Sequence, residues 1–227
     1  VAAENPRTVV VVMAGSAVVM SEWEEEVGAI LMLWYPGMEG GHALADILTG
    51  AASPSGRLPF VIPRDEAHLP SFDIDARRVA YDLWHGYRKL ARDAREPAFP
   101  FGFGLGYTRF AYRDLTLAAD VVAPDGELRL SFVVENVGER AADEVAQVYV
   151  CAETSRVERA PRELKGFERV SLEPGEMRTI EVALPATRLA YFDEERDDFV
   201  VEATRYRVMV GRNERDEALS ATFAVSS

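Results

Sequence analysis

The hydrophobic pattern of this 227-residue chain changes period partway along, and one type of sheet cannot accommodate both parts. Near the N-terminus the apolar residues form continuous runs, Thr8-Val9-Val10-Val11-Val12-Met13 and Ala29-Ile30-Leu31-Met32-Leu33-Trp34. Unbroken runs of this kind predict strands buried on both faces, as in a parallel sheet. From Phe110 onward the period is two. Leu128, Leu130, Phe132 and Val134 alternate with polar residues such as Glu127, Arg129 and Ser131, and Ile180-Val182-Leu184 and Tyr206-Val208-Val210 repeat the pattern. Turn signals at Pro124-Asp125-Gly126, Asn136-Val137-Gly138 and Pro174-Gly175-Glu176 separate these runs. Short alternating strands at this spacing predict an antiparallel β-sandwich.

The first part reads strand, helix, strand, helix, strand. Ser21 to Glu26 suits a short helix with acids at its positive end. The next helix spans Glu39 to Thr49, with Ala43, Leu44, Ile47 and Leu48 as its apolar stripe and Gly50 as its stop. Arg57 to Ile62 reads as a third, edge-like strand bounded by prolines. Such a unit is too small to form a closed layer, so the sheet is expected to be completed by polypeptide outside this chain. Pro63 to Pro100 has few periodic segments and reads as a long irregular loop, for whose order the aromatics Tyr81, Trp84 and Tyr87 argue. The fold class expected is therefore α/β plus all-β. A partial α/β sandwich with a mostly parallel sheet (1–110, including the interface loop 63–100) precedes an immunoglobulin- or fibronectin type III-like β-sandwich (111–227).

Composition narrows the function. Lys and Arg total 25 against 38 Asp and Glu, a formal charge of −13, which argues against nucleic-acid and membrane-surface partners. Cys151 is the single cysteine, so no intrachain disulfide forms, which fits a reducing, cytoplasmic compartment. The run Val9 to Val19 is too short to span a bilayer, and the opening Val1-Ala2-Ala3 is not expected to be a translation start. His42, His68 and His85 are too scattered for a zinc site, and no metal or cofactor is expected.

Motifs in order along the chain resemble the C-terminal part of family 3 glycoside hydrolases, above all their β-glucosidases. They run from Trp34-Tyr35-Pro36-Gly37-Met38-Glu39-Gly40-Gly41 through Ser53-Pro54-Ser55-Gly56-Arg57-Leu58-Pro59-Phe60 and Gly86-Tyr87-Arg88 to Pro100-Phe101-Gly102-Phe103-Gly104. Glu163-Leu164-Lys165-Gly166-Phe167 and Leu172-Glu173-Pro174-Gly175-Glu176 resemble the family's fibronectin type III-like domain. The resemblance implies an exo-acting retaining β-glycosidase acting on β-glucosides. Such chemistry needs a nucleophile and an acid/base carboxylate about 5–5.5 Å apart. In the enzymes resembled, the first lies on a (β/α)8 barrel and the second on a loop preceding the strand that matches Thr8 to Met13. Neither motif occurs here, so no catalytic residue is assigned and the chain alone is expected to be inactive. Its implied partner is the remainder of the enzyme carrying the barrel and the acid/base loop, as a second chain or a missing segment.

Seven residues are candidates for a substrate pocket or a domain interface: Trp34, Glu39, Tyr81, Trp84, His85, Tyr87 and Arg88. Trp34 and Trp84 can stack on a pyranose, and packing is the competing role. Glu39 follows a buried strand, where open α/β sheets bind ligands, and also sits where a helix's positive end attracts a carboxylate. Asp73, Asp75 and Asp82 are rim candidates or solvated acids. Two further readings stand beside the first. The chain is a non-catalytic carbohydrate- or protein-binding module, for which Tyr149 and Phe167 are the candidate exposed aromatics, or it belongs to a β-xylosidase or α-L-arabinofuranosidase of the same family.

Overall fold

A computed structural model describes residues 1–226. Its contacts divide the chain into two compact units: Val1–Pro54 with Leu58–Phe101, and Ser55–Arg57 with the chain from Gly102 onward. The first is a partial α/β unit and the second an all-β sandwich, as the change of period predicts.

In the first unit β1 (Val9–Val12) pairs in parallel with β2 (Ala29–Met32), Val9 opposite Ala29. Helix α1 (Gly40–Thr49) follows. Its start is fixed by a close approach, because a Cβ on Gly40 would lie 2.5 Å from the Pro36 ring. Its end is Gly50 in the left-handed region, φ 78°, whose N–H bonds to the Ile47 carbonyl at 3.0 Å. β3 (Ile62–Pro63) pairs antiparallel with β4 (Pro97–Phe99), and α2 (Gly86–Arg92) lies between them in sequence.

Four expectations fail here. β1 and β2 are not buried on both faces: Val9 is 40% exposed and its neighbours half-buried, since a lone strand pair has no sheet on either side to cover it. Residues 21–26 form only a 3₁₀ turn, Glu24–Glu26, too short a polar segment to propagate a helix. Arg57 to Ile62 is not a strand: pairing begins only at Ile62, and residues 55–57 join the sandwich instead. Residues 63–100 contain α2, whose inward stripe is reduced to one fully buried side chain, Leu90.

The sandwich comprises β5 (Phe110–Leu117), β6 (Val121–Val122), β7 (Glu127–Asn136), β8 (Ala142–Ala152), β9 (Glu163–Leu172) and β10 (Met177–Pro185). It continues with β11 (Tyr191–Asp193), β12 (Asp198–Val200), β13 (Arg205–Gly211) and β14 (Leu219–Val225). One sheet has the order β10-β7-β5 and the other β6-β14-β13-β8-β9, with β11–β12 a separate hairpin. The alternating residues meet as the pattern requires: Leu128, Leu130, Phe132 and Val134 of β7 pack with Val148 and Val150 of β8, Ile180 and Leu184 of β10, and Tyr206, Val208 and Val210 of β13.

The sandwich also buries an ion pair that takes in the earlier segment. Arg57 Nη2 donates to Glu144 Oε2 at 3.0 Å, and the Tyr112 hydroxyl donates to Oε1 at 3.0 Å. The two side chains of the pair are 10% and 2% exposed. Burial, then the Glu144 charge, pushes the Tyr112 phenol far above its ordinary value, so it stays a donor. Gly104 lies against the Gly56 carbonyl and the Arg57 side chain, an approach that only a residue without a Cβ permits.

Candidate functional site

The stretch before α2 and the first turn of α2 hold five of the seven candidates. Asp82 organises it: its Oδ1 accepts the Trp84 N–H at 2.7 Å, and its carbonyl bonds His85 Nδ1 at 2.6 Å. A carbonyl only accepts, so Nδ1 carries the proton and Nε2 of the neutral ring keeps its lone pair. His85 is the N-cap of α2, and Gly86 follows with φ 57°. Tyr81, 62% exposed, meets the His85 ring edge-on at 6.2 Å. Tyr87 stacks on Phe101 at 4.7 Å, and the Arg88 guanidinium lies 5.9 Å from the Tyr87 ring centroid.

Arg92 covers one face of Trp84 at 4.5 Å, which leaves only the other face for a pyranose. Farther along α2, Lys89 and then Arg92 hydrogen-bond Asp93 and hold its carboxyl below the usual carboxylate range. The cluster therefore presents aromatic faces, guanidinium donors, an imidazole Nε2 acceptor and few free carboxylates. Asp73 resembles Asp82 in closing a local turn, its Oδ1 accepting the Asp75 N–H at 2.9 Å. Such a surface suits a neutral, hydroxyl-rich ring and supplies no acid/base pair.

The other two candidates have different partners. Trp34, two residues beyond the end of β2, lies in the left-handed region, φ 57°, and packs edge-on against Phe60 at 5.2 Å. A bulky non-glycine residue held there is strained, which sequence patterning does not reveal. Glu39 is the N-cap of α1 but makes no capping bond; its Oε2 pairs with His42 Nδ1 at 2.7 Å, both side chains well exposed.

The two aromatics considered for a binding face of the sandwich separate. Tyr149 is fully buried and its hydroxyl bonds Gln147 Oε1 at 2.6 Å, so it is excluded, because β8 is covered on both faces. Phe167 is 64% exposed. Sequence reasoning missed the Arg57–Glu144–Tyr112 network, whose members lie far apart in the chain. The only available signal was an arginine and a glutamate inside otherwise patterned segments. Among the described residues, no group of three His, Cys, Asp or Glu is placed to hold a metal ion, and no helix is long and apolar enough to cross a membrane.

Residues 1–107 match the glycosyl hydrolase family 3 C-terminal domain, and residues 144–214 the fibronectin type III-like domain. The thermostable β-glucosidase B of Acetivibrio thermocellus is 38% identical over 99% of this chain and 30% of its own length. Among solved structures, the β-glucosidase of Kluyveromyces marxianus superposes with a TM-score of 0.92 at 38% identity, covering 100% of this chain and 27% of that one. The β-glucosidase 3B of Thermotoga neapolitana, in complex with glucose, gives 0.90 at 36%, covering 99% and 32%. The chain thus spans less than a third of the length of these relatives.

Proposed function

This chain belongs to glycosyl hydrolase family 3, and we propose that it is the C-terminal portion of an exo-acting, retaining β-glucosidase. The observation that carries this reading is the match over both units together, at 38% identity across 99% of the chain, to a protein named a β-glucosidase. The complete enzyme would release terminal β-linked glucose through a covalent glycosyl-enzyme, with its two carboxylates about 5–5.5 Å apart on the polypeptide that this chain lacks.

This chain's share of the work is binding and support. β1, β2 and α1 offer half-exposed apolar surface for the missing part of the α/β domain to cover. Tyr81, Trp84, His85, Tyr87 and Arg88 form the outer wall of the sugar pocket or its interface with the barrel, with Trp34 and Glu39 on the same unit. The net charge of −13 supports a partner set without nucleic acid or anionic membrane.

The test is reconstitution. The chain is mixed or co-expressed with a polypeptide carrying a family 3 barrel and acid/base loop, and release of nitrophenol from an aryl β-glucoside is followed. Turnover is expected only for the combination. Robust turnover by this chain alone, or a combination that assembles and cleaves β-xylosides but not β-glucosides, overturns the reading.

A further inference from the structure

The sandwich carries a groove that the β-glucosidase reading does not use. It lies where the edge strands of the two sheets, β9 and β10, come together, and has a volume of about 400 Å³, within the range of small-molecule sites. Gly166 and Ala183 line it with almost no side chain, so the groove is open between larger neighbours. A Cβ on Gly166 would press on Val182 at 3.1 Å, so enlarging that position would crowd the groove wall.

The walls are held in place. β9 bulges at Lys165, where the register with β8 jumps from Val148 opposite Gly166 to Tyr149 opposite Leu164. Lys165 Nζ donates to the Arg188 carbonyl at 2.8 Å, and Arg188 Nη1 donates back to the Lys165 carbonyl at 3.0 Å. This reciprocal pair fixes one end of the groove and leaves the rest of the Arg188 guanidinium facing it. The bulge also interrupts the β9 edge as a template for an added strand.

Three groups in the groove are spare. The Phe167 ring is 64% exposed. Glu168 and Glu181 line the groove without a hydrogen-bond or ion-pair partner among the described residues. Lys165 is already paired with Glu163 at 3.2 Å, so Arg188 is the groove's remaining cation beside these two carboxylates, and the polylysine control tests for simple cation binding. It combines an apolar ring face, carboxylates that accept hydrogen bonds and a guanidinium that donates them. Those features match the two aspects of a pyranose, an apolar C–H face and neighbouring hydroxyls that both donate and accept.

We propose that this groove is a carbohydrate-binding site on the sandwich, with Phe167 as its stacking platform and Glu168, Glu181 and Arg188 as its hydroxyl contacts. The assignment of a gluco-oligosaccharide as the ligand rests on the β-glucosidase reading; the site itself rests on the groove. It would hold part of a longer glucan by residues outside the catalytic machinery.

The 227-residue chain lacks assigned catalytic carboxylates, so binding can be read without hydrolysis. Cellohexaose and laminarihexaose are titrated into it by calorimetry, and polylysine serves as the cationic control. Saturable glucan binding is expected, weakened about tenfold by Phe167→Ala and several-fold by Glu181→Gln. Both positions are exposed, so the melting temperature should be unchanged. Binding that ignores both substitutions, no binding to either glucan, or binding to polylysine alone overturns the proposal. In the reconstituted enzyme, Phe167→Ala should leave turnover of a small aryl glucoside intact. If that substitution instead prevents assembly, Phe167 is an interface residue and the proposal falls. Failure of reconstitution itself bears on the β-glucosidase reading and leaves the calorimetric result standing.

Discussion

The two units bury apolar surface very differently. In the first, Met20, Val61, Ile62, Pro63, Leu90 and Pro97 are the only buried apolar side chains among the described residues; every other buried apolar side chain belongs to the sandwich. Yet the first unit has the more hydrophobic strands by sequence, Val9–Val12 and Ala29–Met32. Hydrophobicity records what a strand needs covered, and burial records what its neighbours cover. The sandwich is self-sufficient because its two sheets cover each other. The parallel pair has one partner strand each and remains half-exposed.

The sharpest way to break this comparison is amide hydrogen exchange on the chain by itself. Protection in β1 and β2 should fall below that in β7 and β8 by about a hundredfold or more, because low local burial permits local opening. Equal protection would mean that the first unit is as well closed as the sandwich. Next in size is Phe132→Ala, at 1% exposure in the sandwich core, which should cost about 3–5 kcal/mol in urea unfolding. The same truncation logic at half-exposed Ile30 should cost much less, and comparable losses at the two sites would contradict the contrast.

Arg57→Ala should cost about 3 kcal/mol, since it leaves Glu144 buried without its cation. Adding Glu144→Gln should recover part of that loss. A single substitution without effect would show that the Ser55–Arg57 segment does not brace the sandwich. Acid probes the same unit. Burial works against the Asp216 carboxylate, but hydrogen bonds from Arg212 prevail and hold it below the ordinary range; Ser171, then Arg169, do so for Asp143. Lowered carboxylates contribute stability above the unfolded value, about 3.9, and lose it as pH falls through their lower folded values. The urea midpoint of the sandwich should therefore hold from pH 7 to 5 and drop below about pH 4. A decline that begins near pH 6 would require a different titrating group. The smallest effect is expected at Gly50→Ala, about 1 kcal/mol in the first unit, from a Cβ forced into the left-handed region.

Much of the architecture was legible in residue order. Period two in β7, β10 and β13 set both the strands and their inward faces, because side chains alternate across a strand regardless of its neighbours. The Gly50 stop of α1 was readable for the same local reason; of its expected stripe, Leu44 and Ile47 are half-buried while Ala43 and Leu48 stay exposed. The local cluster around Tyr81, Trp84, His85, Tyr87 and Arg88 was visible as a run of aromatics and cations, though not the turn at Asp82 or the covering of Trp84 by Arg92. α2 escaped notice because seven residues with one buried leucine give too few periods to detect.

What the sequence by itself determined was therefore local: the two classes of strand, the first long helix, the family motifs and the absence of a recognisable catalytic pair. What only the tertiary structure decided were pairings across long distances in the chain. Arg57 leaves the expected third strand to meet Glu144, 87 residues away. Tyr149 and Phe167, alike as aromatics in alternating strands, end one sealed and one exposed. The physical reason is common to both: periodicity fixes the direction in which a side chain points, but burial and charge pairing depend on which other segment arrives on that side.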